Sequence, residues 1–304
     1  MKKNILVIGS SNTDLVIQTS HFPEPGETVM GGVFSTFAGG KGANQAVAAS
    51  RLGAKVTFVA RVGNDDFGRQ AIDGFDKEGI TTSHIFIDEN EPTGVASIII
   101  NKDGENTIVV APGANNMLSK TDIEAIVSLV EATDIVLVQL EVPLETVTFV
   151  IQLAHKLHKK IILNPAPAVK LDYNLFSYLD IITPNESETK ILLGKKVSDL
   201  KSASEAAQVF LDKGVKNVVI TLGKQGAFFK NDHEEYLIPA IKTEVIDTTG
   251  AGDTFNGALA VAISEGKSWR DALDFSNKAA AISVSRLGAQ SSIPFRKEIE
   301  AIDL

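Results

Sequence analysis

Apolar runs of strand length alternate with helical patterns along most of this chain: Ile5 to Ile8, Val56 to Val59, Ile135 to Val138, Ile161 to Leu163, Ile181 to Ile182 and Val218 to Thr221. A strand that is apolar on both faces must be covered on both. The rhythm therefore predicts an α/β fold with three layers, a mostly parallel sheet with helices on both faces. Between Ser119 and Glu131 the spacing of Ile123, Ile126, Val127 and Val130 gives one apolar stripe and predicts a scaffold helix with Ser119 as its N-cap. No internal repeat or Ser/Pro-rich linker divides the sequence, so residues 1–304 are expected to form a single α/β unit.

Two stretches break the rhythm. Over residues 14–37 and 93–110, short runs with partial alternation are split by turn residues, Pro23, Pro25 and Gly26 in the first and Lys102, Asp103 and Gly104 in the second. Both read as antiparallel hairpins, and together they predict a small antiparallel β-sheet inserted at about 14–37 and 93–112. As mere loops they would leave many Val and Ile side chains in water. The inserted sheet therefore needs a partner, either a substrate cleft or another subunit.

The segment from Val245 to Ala258, V-I-D-T-T-G-A-G-D-T-F-N-G-A, places a carboxylate where a glycine-rich turn becomes a helix. Val245 and Ile246 read as the end of a strand, Thr248 to Gly252 as a turn of exposed backbone amides, and Asp253 onward as a buried helix of small residues. Free N–H groups at the positive end of a helix suit a phosphoryl group, and Asp253 is near enough to take a proton from an attacking hydroxyl. On local grounds alone, a tight turn with Asp253 as a helix cap is an equal reading.

Other segments have the same double character. Asn12 and Asp14 follow the first strand, at the sheet end where ligands of open α/β folds bind, yet both also suit an Asx turn. Gly39-Gly40-Lys41-Gly42-Ala43-Asn44 opens a helix reaching Leu52. Asn185 and Glu188 in T-P-N-E-S-E form a capped helix start, and Thr221 to Gly226 a turn after a strand. A P-loop is excluded because Val261 stands where its first glycine would be, and a dinucleotide fingerprint because Ser11 and Asp14 replace its later glycines. His155 and His158 share a helix face without a third ligand nearby in sequence, which disfavours a metal site there.

D-T-T-G-A-G-D-T-F and G-G-K-G-A-N-Q-A resemble the C-terminal and N-terminal signatures of the ribokinase (PfkB-type) sugar kinase family, and the similarity runs from the first strand to about Pro294. The resemblance implies an ATP-dependent sugar kinase, with D-ribose phosphorylated at O5 as the expected reaction. Kinases for fructose, 2-deoxyribose or adenosine are the alternatives within the family, and a non-catalytic sugar sensor is the alternative outside it. It implies Asp253 as catalytic base, with the amides of Gly250, Ala251 and Gly252 as an anion hole. Ribose is expected at Asn12, Asp14, Gly40, Lys41, Asn44, Glu141 and Asp253. ATP is expected at Asn185, Thr221, Gly223, Gly226, Gly252 and Asn277, with Glu188 serving Mg²⁺ and the phosphates. A monovalent cation, K⁺, is expected between Asp247 and Thr249 on the turn and Ser283, Arg286, Gly288 and Ser292 on a facing loop. The inserted sheet would act as a lid, and a homodimer through the lid sheets is expected.

Composition narrows the partners. Basic residues number 29 against 38 acidic, a formal charge of −9, which argues against a nucleic-acid surface. The absence of cysteine excludes thiolate nucleophiles, disulfides and Cys-ligated zinc. No apolar run approaches the ~20 residues that span a bilayer, and Ile5 to Ile8 is too short for a signal peptide. No membrane partner and a cytoplasmic location are therefore expected.

Overall fold

The computed structural model describes residues 4–302. Its strands are β1 (Asn4–Ile8), β2 (Asn12–Gln18), β3 (Val33–Gly39), β4 (Lys55–Gly63), β5 (Ile85–Asp88), β6 (Gly94–Ile100) and β7 (Asn106–Ala111) in the first part of the chain. β8 (Ile135–Val138), β9 (Lys160–Leu163), β10 (Ile181–Ile182), β11 (Asn217–Thr221), β12 (Ala227–Asn231) and β13 (Glu235–Ile238) follow. Nine of them form one sheet in the order β13-β12-β11-β10-β9-β8-β1-β4-β5. Pairing is parallel from β11 to β5 and antiparallel across β12 and β13 at the other edge. The six apolar runs that alternate with helical patterns, from Ile5 to Ile8 through Val218 to Thr221, all lie in this sheet.

Side chains on successive residues of β1 go to opposite faces. Leu6 and Ile8 join Val136, Val138, Ile161 and Leu163 beneath the helices Leu144–Lys156 and Leu200–Asp212. Ile5 and Val7 join Phe58, Leu137 and Ile162 beneath the helices Lys41–Arg51, Ala251–Ser264 and Trp269–Val284. All of these side chains are buried, which explains why the strands read as continuous apolar runs. The helices Lys41–Arg51 and Ala251–Ser264 cross closely. A Cβ built on Gly257 would stand 2.5 Å from Ala48 Cβ, so the approach requires a glycine on one side. That crossing sets Asn44 beside Asp253.

Two local expectations are corrected. The helix expected over Ser119 to Glu131 is two short helices, Lys120–Glu124 and Val127–Glu131, separated at Ile126 (φ −116°, ψ 20°). Ser119 caps the first with Asp122 in a reciprocal box, and Ile123, Ile126 and Val130 remain buried across the break. Val245 and Ile246 belong to no strand. Both are exposed, and the backbone here bonds to a helix end instead of a strand: the N–H groups of Ile246 (2.8 Å) and Asp247 (3.2 Å) donate to the Val284 carbonyl.

The inserted residues form a second sheet in the order β3-β2-β6-β7. Its two hairpins are antiparallel, and they join through a parallel β2–β6 pair that runs from Asn12↔Gly94 to Gln18↔Ile100. Asp14, Ala96, Ile98, Ile108 and Val110 lie on the face that roofs a cleft, while Phe34 (63% exposed) and Val109 (70%) point away from it. Among the described residues no helix is long and apolar enough to cross a membrane.

Candidate active site

The turn Thr248 to Gly252 is the wall between two cavities. One, of about 510 Å³, lies under the lid sheet and is lined by Thr249, Gly250 and Asp253 on this side. The other, of about 780 Å³, is lined by Thr248, Ala251 and Gly252. Gly250 precedes the helix Ala251–Ser264 in the left-handed region (φ 73°), a conformation that leaves the helix start without a side-chain cap. Of the amides expected to bind an anion, Ala251 N–H instead closes the turn onto the Thr248 carbonyl at 3.2 Å. The N–H groups of Gly250, Gly252 and Asp253 take no acceptor among the described residues, which leaves three free donors at the helix start, an arrangement suited to an anion.

Asp253 is 8% exposed. Its Oδ2 accepts from Asn44 Nδ2 and its Oδ1 from Gln45 Nε2, both at 2.9 Å. Burial, the largest influence, pushes its carboxyl above the ordinary range; Lys41 and the amides of Asn44 and Gln45 oppose the rise and Glu141 adds to it. The carboxylate thus lines the lidded cavity and is kept basic by its surroundings. Asn44 Oδ1 has no partner although buried, an acceptor left for a ligand hydroxyl.

All seven residues expected to bind the sugar line the lidded cavity: Asn12, Asp14, Gly40, Lys41, Asn44, Glu141 and Asp253. Glu141 Oε2 accepts from Ser10 Oγ (2.6 Å) and from the Lys41 N–H (3.0 Å), and Lys41 Nζ stands 3.8 Å from Glu141 Oε1. Burial pushes the Asp14 carboxyl up to about 7, with Glu141 and Asp253 adding to the rise and Lys41 opposing it. Burial works against the Lys41 ammonium, but Asp253, Glu141, Glu188 and Asp14 outweigh it and hold it above its ordinary value. Lys41 therefore stays charged in a ring of carboxylates.

Sequence reasoning missed several of these contacts. Asn115 lines the cavity and braces Asn12, donating to Asn12 Oδ1 at 2.7 Å while its own Oδ1 accepts from Ser11 N–H at 2.9 Å. Behind Asp253 lies a buried polar set: Gln139, Gln45, Asn164, Thr183 and Asn256. Thr183 donates to Asn256 Oδ1 (2.6 Å), and Asn256 Nδ2 returns to the Gly252 carbonyl (2.8 Å). A signal existed, since Gln139, Asn164 and Thr183 are each the first residue after β8, β9 and β10, at the carboxyl ends of central strands.

The second cavity collects all six residues expected to meet the nucleotide: Asn185, Thr221, Gly223, Gly226, Gly252 and Asn277. Asn185 also caps the helix Glu186–Leu193, accepting from Glu188 N–H (2.8 Å), so the two readings of its segment coexist. Asn277 acts on the wall of the cavity, its Nδ2 donating to the carbonyls of Ile238 (3.1 Å) and Pro239 (3.2 Å). Lys224, from the turn Thr221 to Gly226, also lines this space, as do Lys242 and Thr243, which were not anticipated.

Glu188 Oε2 accepts from Asn185 N–H (2.8 Å), which leaves Oε1 for a ligand. Burial pushes its carboxyl up, the Asn185 N–H and Lys41 pull it down, and Asp253 adds to the rise. No group of three or more His, Asp or Glu side chains able to hold a metal occurs among the described residues. This donor set fits Mg²⁺ carried on nucleotide phosphates with Glu188 as a protein contact, because Mg²⁺ keeps waters and phosphate oxygens in place of an all-protein cage.

The expected cation loop does face the turn. Asp247 Oδ1 accepts from the Thr249 N–H (2.9 Å) and hydroxyl (2.6 Å), and Oδ2 from Gly288 N–H (2.9 Å). Burial acts to raise the Asp247 carboxyl, but those three donors prevail and hold it below the usual range. Ser283 and Ser292 pair through their hydroxyls at 2.9 Å. The Arg286 guanidinium turns away to Glu298 (2.6 Å), so only its backbone remains available here. Asp247 stays ionised beside the Thr249 hydroxyl, and hard cations take anionic and hydroxyl oxygens of this kind.

Residues 2–296 match the family described as pfkB family carbohydrate kinase. Over 298 residues the chain is 48% identical to ribokinase of Haemophilus influenzae, covering 98% of this chain and 97% of that protein. It is similar in structure to ribokinase of Thermotoga maritima, with a TM-score of 0.90, 41% identity and 99% of each chain covered. It is likewise similar to ribokinase of Arabidopsis thaliana complexed with ribose and ATP, with a TM-score of 0.91 and 33% identity over 99% of this chain and 98% of that one.

Proposed function

The chain belongs to the pfkB family of carbohydrate kinases, and we propose that it transfers the γ-phosphoryl group of ATP to the 5-hydroxyl of D-ribose with Asp253 as the general base. The observation that carries the assignment is that Asp253 lines the lidded cavity directly beside Gly252, which lines the larger one. Ribose occupies the first, where Asp14 and Glu141 accept from its hydroxyls and Lys41 and Asn12 donate to them. ATP occupies the second, its terminal phosphate at the amides of Gly250, Gly252 and Asp253.

Asp253 takes the hydroxyl proton as the oxygen attacks phosphorus. The free amides and the helix start then stabilise charge that builds on the phosphoryl oxygens. Lys41 offsets the carboxylates that surround the attacking group. The apolar lid face, with Ala96, Ile98, Ile108 and Val110, excludes water that would otherwise hydrolyse ATP. Mg²⁺ held by the phosphates and Glu188 would neutralise phosphate charge when bound. K⁺ held by Asp247 and the loop of Ser283 to Ser292 would stiffen the turn.

The exposed apolar side chains of the lid, Val109 and Phe34 among them, suit a homodimer formed through the lid sheets. Consumption of ATP by a chain without cysteine suits the cytoplasm. The assignment is tested by coupled ADP release with ribose, fructose, 2-deoxyribose and adenosine. Ribose should give the highest kcat/KM, and a higher value for any of the others overturns the ribose assignment.

A further inference from the structure

The side-chain amide of Gln45 is determined by its surroundings to point one way. The Thr183 carbonyl is a fixed acceptor, and Asn164 Nδ2 donates to it at 3.2 Å, which turns Asn164 Oδ1 toward Gln45. Gln45 Nε2 donates to that oxygen at 3.0 Å and to Asp253 Oδ1 at 2.9 Å, so both its hydrogens are engaged. Its Oε1 accepts from Gln139 Nε2 at 2.6 Å. Reversal would set Oε1 against two acceptors and Nε2 against a donor. Polarity therefore runs unbroken from a backbone carbonyl to the carboxylate.

Gln45 and Gln139 are completely buried (0% exposed), and Gln139 Oε1 has no partner among the described residues. A buried acceptor without a donor costs stability. Gln139 tolerates that cost in the orientation that satisfies Gln45, and an apolar side chain of the same size would have packed there without it. We propose that Gln45, locked by Gln139 and Asn164, is a positioning residue that fixes the plane of the Asp253 carboxylate and favours its ionised form. The proposal rests on the reading of Asp253 as the base and extends it to residues that touch neither substrate.

Other charged groups face Asp253: Lys41 on the helix that carries Gln45, Glu141 after β8, Asp14 on β2 and Glu188 on the helix Glu186–Leu193. Several of them titrate, so the test reads Asp253 directly through its carboxyl ¹³C resonance, assigned by its loss in Asp253→Asn. In Gln45→Met, which keeps the volume and removes the donor, that titration should move to higher pH. At neutral pH kcat should fall about 10- to 100-fold with the KM for ATP unchanged. Gln139→Met should move the titration in the same direction by less, and should add nothing to Gln45→Met, as expected of a residue acting through another.

An unmoved titration in Gln45→Met, or additive effects of the two substitutions, overturns the proposal. If Gln45→Met does not fold, Gln139→Met decides alone, and an unmoved titration there overturns it. Full turnover in Asp253→Asn would overturn the base assignment and leave the titration result standing, so the two failures are distinguishable.

Discussion

Asn44 Nδ2 donates to Asp253 Oδ2 at 2.9 Å, joining positions 209 residues apart in the chain. One residue lies in the first turn of the helix that lines the lidded cavity, and the other in the first turn of the helix that starts with free amides between the two cavities. Their bond sets acceptor, base and anion site in one frame. Asp253→Asn should keep the fold and ATP binding while lowering kcat about 10²- to 10⁴-fold, the usual worth of a positioned base. Steady-state kinetics with ATP affinity measured by calorimetry checks this; near-wild-type turnover would remove Asp253 from the mechanism.

Asp14 makes stability depend on pH. Its carboxyl titrates near 7 in the folded chain and near 3.8 unfolded, so the folded state binds more protons between those values. The contribution is fully present below about pH 4 and is lost as pH rises through about 7. Asp14→Asn removes the loss, and at pH 8 the variant should gain up to about 4 kcal/mol over the parent while losing ribose affinity. Thermal unfolding of both proteins from pH 4 to pH 8 measures the difference, and a gap that does not widen with pH contradicts the assignment.

Potassium should activate the enzyme. The turn is tied to the facing loop through Asp247, Thr249 and Gly288, and a cation among those oxygens would fix the turn from behind without reorganisation during reaction. Activity should be higher in K⁺ than in a bulky organic cation at equal ionic strength, and Asp247→Asn should blunt the difference. Equal rates in the two salts would sink the idea.

Sugar selection should follow the buried polar groups. Asp14, Asn44 and Glu141 lose water when a sugar is enclosed, so a missing hydroxyl leaves one of them unpaired. Such sites discriminate by up to ~10⁴-fold, less where water enters. The kcat/KM for ribose should exceed that for 2-deoxyribose and for fructose, and Glu141→Ala should lose much of both the preference and the activity. Asn115→Ala, which frees Asn12, should weaken ribose binding with little change in the KM for ATP.

Assembly should depend on the lid. Val109→Glu places a charge on the exposed lid face and should shift sedimentation toward monomer without unfolding the chain. An unchanged dimer, or a parent protein that sediments as a monomer, would place the lid face outside any interface.

The parallel strands were legible because burial on both faces removes polar residues from them, as in Ile135 to Val138. The glycine turns and their flanking Asn, Asp and Lys residues were legible because each is a short local pattern. Longer-range pairing was not. Gln45 meets Gln139 across 94 residues and Asn164 across 119, and nothing local marks a helix glutamine whose partners follow distant strands. Val245 and Ile246 carry β-branched side chains, but whether a strand forms depends on a neighbour that composition does not reveal. The Ala251 amide likewise looked free until the turn closed on Thr248.

The lid is rooted in the site it covers. β2 begins at Asn12 and β6 at Gly94, paired at the cleft floor, while Gln18 and Ile100 pair at the far end. Seven strand residues span roughly 20 Å, so a tilt of about 10° about the root moves the tip about 3–4 Å and Asp14 about 1 Å. Asn12 and Asp14 stand at the fulcrum of this lever and the covering residues Ile98 and Ile108 along its arm. A sugar bound at the root would therefore be gripped before such a swing, which would shut out water with the grip almost undisturbed.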